Sequence, residues 1–112
     1  MKKTDPFNWV KSHIERLSYK WPARSKATAA ARRKSTLTDK RIKWEYQCNH
    51  CKDWFKGKDV QLDHVVPKGR YCPETFFVWL ERLFCDVAGF QVLCISCHNK
   101  KTAEERRTGK YL

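Results

Sequence analysis

Two C-x₂-C pairs constrain this chain more than any other feature: Cys48-Asn49-His50-Cys51 and Cys94-Ile95-Ser96-Cys97, with 42 residues between them. Two residues between thiols let both sulfurs turn inward on one tight turn, and four thiolates from two such turns close a tetrahedral shell about Zn²⁺. The intervening segment is then a long loop whose two ends are pinned together. A disulfide framework is the competing use of these cysteines. The opening residues MKKTDPFNWV, however, lack the apolar core and small-residue cleavage site of a secretory signal, so a cytoplasmic location is expected, where such spacing favours metal or redox chemistry, and nothing suggests the βαβ setting of a thioredoxin. Cys48, Cys51, Cys94 and Cys97 are therefore read as ligands of a structural zinc. Cys72 and Cys85 lack a partner at ligand spacing and read as small buried hydrophobes. His50 reads as an exposed loop imidazole and His13 as solvated.

At 112 residues there is room for one compact domain with a helical appendage, and no apolar run approaches the roughly 20 residues that span a bilayer. Lysine and arginine number 24 against 12 acids, a net charge of +12, so a polyanionic partner, nucleic acid, is expected and a membrane is not. The excess is uneven: residues 1–47 carry 13 basic and 4 acidic side chains, residues 48–112 carry 11 and 8. This asymmetry predicts a basic, helical arm over residues 1–41 that grips nucleic-acid phosphates, ahead of a zinc-stapled domain over 42–112; a monomer is expected.

Asp5-Pro6 is a helix-start signal, and Phe7, Val10, Ile14, Leu17 and Trp21 follow at helical steps as a stripe that must bury, with Pro22 ending the helix. From Ala23 to Lys34 strong helix formers and an acid-free run of cations predict a second, basic helix, whose Arg24, Lys26, Arg32, Arg33 and Lys34 are candidate phosphate contacts. Ile42, Trp44 and Tyr46 alternate as a strand into Cys48. Trp54-Phe55, the turn at Gly57, and Val60 and Leu62 predict a hairpin whose second arm delivers Asp63 and His64. Pro73 to Asp86 carries apolar residues at helical spacing, Gln91–Leu93 reads as a short strand, and residues from Cys97 to about Arg107 as a final polar helix. The fold class is α+β.

Leu62-Asp63-His64-Val65-Val66-Pro67 sets a carboxylate beside an imidazole at a strand end. Hydrolysing a phosphodiester needs a base near neutral pH and a hard cation at the phosphoryl oxygens, and histidine suits the first task as aspartate suits the second. His98 follows Cys97 directly, so the second knuckle fixes another imidazole at the start of the last helix. Lys100 and Lys101 are weaker candidates for contact with the cut strand.

With CNHC (48–51), LDHVVP (62–67) and QVLCISCHNKKT (91–102), the span 44–107 resembles the HNH nucleases, in their zinc-bearing branch from phages and mobile elements. The resemblance implies a ββα-metal (His-Me finger) core stapled by the four cysteines, with N-terminal helices and an inserted helix over 73–86. It implies a DNA endonuclease with His64 as general base and Asp63 and His98 as ligands of a catalytic Mg²⁺ or Mn²⁺, Ni²⁺ being another candidate. The products would be 5′-phosphate and 3′-hydroxyl ends. Kinship alone suggests phage packaging proteins as partners and a host cytoplasm as the setting. Two departures stand out. The family's central asparagine position is Gly89, and a further ligand seen in some relatives one turn after His98 falls at Thr102. A catalytically inactive, zinc-stapled nucleic-acid-binding module is the alternative that Gly89 encourages.

Overall fold

The computed structural model describes residues 5–108. The first helix, α1 (Pro6–Ser18), starts as expected: the Asp5 carboxylate accepts from the Phe7 N–H at 3.0 Å, and Pro6 sits where a helix has no use for an N–H. Its apolar stripe is only partly buried. Phe7, Ile14 and Trp21 are half-covered, whereas Val10 and Leu17 are exposed, because α1 touches the protein at separate points and not along a groove. Phe7 stacks on Tyr71 with ring centroids 4.1 Å apart, and its carbonyl accepts from the Tyr71 hydroxyl at 2.6 Å. Glu15 pairs with Lys68 at 2.7 Å, and Trp21, beyond the helix end, donates through Nε1 to the Cys85 carbonyl at 2.7 Å.

Pro22 begins the second helix, α2 (Pro22–Ala30), whose buried Ala23 and Ala27 let it approach Phe90 closely. The helix expected over 23–34 stops at Ala30. Arg32–Lys34 instead form strand β1, antiparallel to β2 (Trp44–Gln47), with Arg32 opposite Tyr46, Arg33 opposite Glu45 and Lys34 opposite Trp44. Tertiary contacts decide this. Helix propensity separates ordinary residues by less than ~1 kcal/mol, and the sheet offers backbone pairing plus two guanidinium stacks worth about 0.5–1 kcal/mol each. Arg32 lies 4.1 Å over Trp44 and Arg33 lies 3.9 Å over Trp54. Buried Glu45 accepts from the Thr36 N–H at 2.9 Å and from Arg33 Nε at 3.3 Å. The polypeptide on both sides of residue 41 thus shares one sheet.

The expected hairpin is also redrawn. Strand β3 (Trp54–Lys56) pairs with β2, completing the sheet β1-β2-β3. A 3-10 turn, Gly57–Asp59, then carries the chain into β4 (Val60–His64), which pairs antiparallel with β5 (Phe90–Cys94). The partner of β4 is β5 because β5 offers five paired positions and buried side chains to cover, against the three residues of β3. Between them the apolar segment begins as a 3-10 turn, Pro73–Thr75, and becomes helix α3 only over Phe76–Leu83, shorter than the 73–86 expected. It closes on the Phe84 N–H donating to the Leu80 carbonyl at 3.0 Å. The last helix, α4 (Ile95–Thr108), begins inside the second knuckle.

The molecule is thus a small α+β fold of four helices and two small sheets among the described residues. Cys48, Leu93, Cys94 and Cys97 form one buried cluster with Phe55 against it, and Ala23, Ala27 and Phe90 another. Among the described residues, no helix is long and apolar enough to cross a membrane.

Candidate metal centre and catalytic cleft

The first knuckle is tied to β5 before any side chain matters: the Asn49 N–H donates to the Val92 carbonyl at 2.8 Å, and the Cys48 N–H to the Asp53 carbonyl at 2.9 Å. The turn closes through Lys52, which takes a left-handed φ of 66°. Consequently the sulfur atoms of Cys48, Cys51, Cys94 and Cys97 all lie within 4.8 Å of one another. Tetrahedral zinc with bonds of about 2.3 Å sets its sulfurs roughly 3.8 Å apart, so the four are positioned to hold a metal ion such as zinc.

Their ionisation points the same way. Burial opposes the Cys48 thiolate, but the backbone groups of Cys94, Cys51 and His50 outweigh it and bring the thiol down to about 6. The adjoining Cys94 sulfur, with burial, pushes Cys97 up to about 12. Crowded thiols resist a common charge, and a cation among them removes that resistance. His50 is exposed, as expected, and Cys72 and Cys85 stand outside the cluster, half-buried and not fully buried as expected. His13 is exposed, with Nδ1 2.9 Å from the Trp9 carbonyl.

A cleft of about 290 Å³ is lined by Asp63 and His64 from β4, by His98, Lys101 and Glu105 from α4, and by Arg24 from α2. Asp63 and His98 meet there, with His98 Nε2 3.7 Å from Asp63 Oδ1. The other carboxylate oxygen, Oδ2, accepts from Lys101 Nζ at 3.1 Å and from Gln91 Nε2 at 3.2 Å. Gln91 is the residue opposite Asp63 in the ladder, and its own Oε1 accepts from Asn49 Nδ2 at 2.9 Å. A three-residue chain therefore runs from inside the first knuckle to the carboxylate.

His64 Nε2 lies 3.3 Å from the Leu83 carbonyl. A carbonyl only accepts, so Nε2 carries the proton and Nδ1 the lone pair of the neutral ring. Among the described residues Nδ1 has no hydrogen-bond partner. Burial pulls the His64 pKa below the ordinary imidazole value, with the Leu83 carbonyl acting in the opposite direction. The ring also lies against Phe90, with centroids 4.8 Å apart. At Gly89 a Cβ would meet Cys85 Sγ at 2.6 Å and Cys85 Cβ at 2.8 Å. No side chain fits there, and the tie across the loop is made by backbone: the Val65 N–H donates to the Gly89 carbonyl at 2.9 Å.

The predicted basic contacts separate. Arg24 sits in the cleft, its guanidinium 5.0 Å over Tyr19 and 5.5 Å over Phe90. Lys26 is exposed on α2, Arg32, Arg33 and Lys34 are exposed on β1, and Lys100 is exposed on α4. Lys101, a candidate contact with the cut strand, lies in the cleft: it bridges Asp63 and Glu105 and donates to the His64 carbonyl at 3.2 Å. Burial acts against its charge, but Glu105 and Asp63 prevail and raise its pKa. Gln91 and Glu105 are the site residues that sequence reasoning missed. Glu105 stands seven residues after His98, one face of a helix, and that spacing was the available signal. Searches of family models, curated proteins and solved structures find no match for this chain.

Proposed function

We propose that this protein is a metal-dependent DNA endonuclease of the HNH type, its fold stapled by zinc at Cys48, Cys51, Cys94 and Cys97. The observation that carries the reading is the convergence on one cleft of the adjacent Asp63 and His64 of β4 with the sequence-distant His98 of α4. Asp63 and His98 are 3.7 Å apart, and His64 beside them presents an unprotonated Nδ1.

Asp63 and His98 fit a divalent ion. They offer one oxygen and one nitrogen donor, and two ligands on an ion with bonds near 2.1 Å stand at most about 4.2 Å apart. When bound, the ion supplies positive charge to the phosphoryl oxygens and to the departing 3′-oxygen. The chain's own residues do the rest. The Leu83 carbonyl holds His64 in the Nε2–H tautomer, and Nδ1 takes the proton of the attacking water. Burial favours the neutral form of the His64 ring, the state a base requires. Gln91 and the strand pairing hold Asp63 while the second knuckle holds His98 at the start of α4. Arg24 at the cleft supplies a fixed cation for a phosphate.

DNA as the substrate rests on the net charge of +12 and on exposed cations at α2, β1 and α4. The test is incubation of supercoiled plasmid with zinc-loaded protein and Mg²⁺, Mn²⁺ or Ni²⁺. Nicking or linearisation that is lost in His64→Ala with zinc content unchanged is the expected result. DNA binding without cleavage under every metal would leave only a zinc-stapled binding module.

A further inference from the structure

Lys101 does not behave as a surface lysine. Its ammonium is flanked by Asp63 Oδ2 at 3.1 Å, by the His64 carbonyl at 3.2 Å and by Glu105, an all-oxygen surround from two helical turns of α4 and the end of β4. Two carboxylates and a carbonyl converging on one point are the donor set of a hard cation, and an ammonium fills it as a point charge. His98 touches the same carboxylate from the other side, 3.7 Å from Oδ1. Asp63 is thus shared between an imidazole and an internal cation. On α4, His98, Lys101 and Glu105 lie at i, i+3 and i+7, so all three face the cleft, while Thr102 turns its hydroxyl back to the His98 carbonyl at 3.0 Å.

We propose that Lys101 is a built-in counter-ion that a divalent cation displaces, and that Glu105 then joins Asp63 and His98 as a third protein ligand. The inference rests on the reading that Asp63 and His98 share an ion, and goes past it by naming the competitor and the extra ligand. Glu105 supplies the ligand that Thr102, spent on its own helix, does not. Displacement leaves Lys101 free at the mouth of the cleft, where a phosphate is the anion it next meets.

The experiment measures Mn²⁺ affinity of the zinc-loaded full chain by electron paramagnetic resonance of free Mn²⁺, without DNA. Glu105→Gln is expected to weaken binding at least about tenfold, and Lys101→Met to tighten it at least about tenfold, because one charge at contact distance is at stake. Lys100→Met, on the same helix but exposed, is expected to change it by less than about threefold. A second reading follows Lys101 directly: its acetylation by an active ester, scored by mass spectrometry against Lys100, should rise severalfold when Mn²⁺ is added.

The variants distinguish the shared ion from the displacement of Lys101. If Asp63→Asn binds Mn²⁺ as tightly as wild type, the shared-ion reading itself fails. If Asp63→Asn abolishes binding but Glu105→Gln and Lys101→Met leave it unchanged, the shared ion stands and the displacement proposal is overturned. Should Lys101→Met lose its zinc, Glu105→Gln and the acetylation ratio decide the matter alone.

Discussion

His64 Nε2 faces the Leu83 carbonyl at 3.3 Å, so the last residue of α3 orients the ring at the end of β4. The segment between the two knuckles, read from sequence only as an inserted helix of unknown use, supplies a hydrogen-bond acceptor to the cleft. Close by, Cys85 fills the space in which a side chain at position 89 would lie. The segment that ends α3 thus orients His64 through Leu83 and packs against position 89 through Cys85.

Gly89 is expected to tolerate no side chain. Gly89→Ala brings a Cβ to 2.6 Å from Cys85 Sγ and 2.8 Å from its Cβ, an overpacking that costs about 1–3 kcal/mol. Gly89→Asn, whose side chain is larger still, should destabilise at least as much. Adding Cys85→Gly to Gly89→Ala should recover part of the loss. Urea midpoints measure all three, and an unaffected Gly89→Ala would show that Cys85 has room to move.

The His64 pKa carries a stability signature of definite sign. Its folded value lies below the ordinary 6.5, so the unfolded chain binds the proton more readily. The stability held by the neutral ring is complete above about pH 6.5 and is lost as pH falls through the lower folded value. Between about pH 7.5 and 5.5, without added Mg²⁺, the wild-type denaturation midpoint should fall further than that of His64→Gln. His13, His50 and His98 are present in both proteins and cancel. Equal losses would mean that burial does not perturb this imidazole.

Removal of one knuckle sulfur is expected to be severe. Structural zinc supplies on the order of 10 kcal/mol in small zinc-folded peptides, and the thiol cluster here joins β5 and α4 to the end of β2. Cys94→Ser should lose bound zinc by elemental analysis and lose cooperative thermal unfolding. Cys72→Ser and Cys85→Ser should keep their zinc. A Cys94→Ser protein that unfolds at the wild-type temperature would remove zinc from the account of the fold.

The cations of β1 are best tested by substitution, since truncation at residue 41 would also remove the edge strand that pairs with β2. If Lys34 meets a phosphate, Lys34→Gln, which spares the stacked Arg32 and Arg33, should lower the slope of log K against log salt by ~0.9. An unchanged slope in filter-binding or anisotropy titrations would place the DNA on another face.

Much of the candidate site was legible beforehand because its signals are local. Asp5-Pro6 starts α1, the paired cysteines cluster, and Asp63, His64 and His98 stand where strand end and knuckle put them. The missed residues act at a distance in sequence. Gln91 reaches Asp63 across the β4-β5 ladder, a pairing that the turn signal at Gly57 does not announce, and Glu105 is disclosed only by the ammonium it holds.

From the amino acids alone came the zinc-type knuckles, the basic balance and the identity of three cleft side chains, since residue type and short spacing decide ligand chemistry without reference to the fold. Strand partners, the conversion of Arg32–Lys34 from helix to sheet, and the pairing of Leu83 with His64 were decided only by tertiary structure. Backbone groups pair with whatever the folded chain brings near, and a carbonyl has no side-chain identity for a sequence to display.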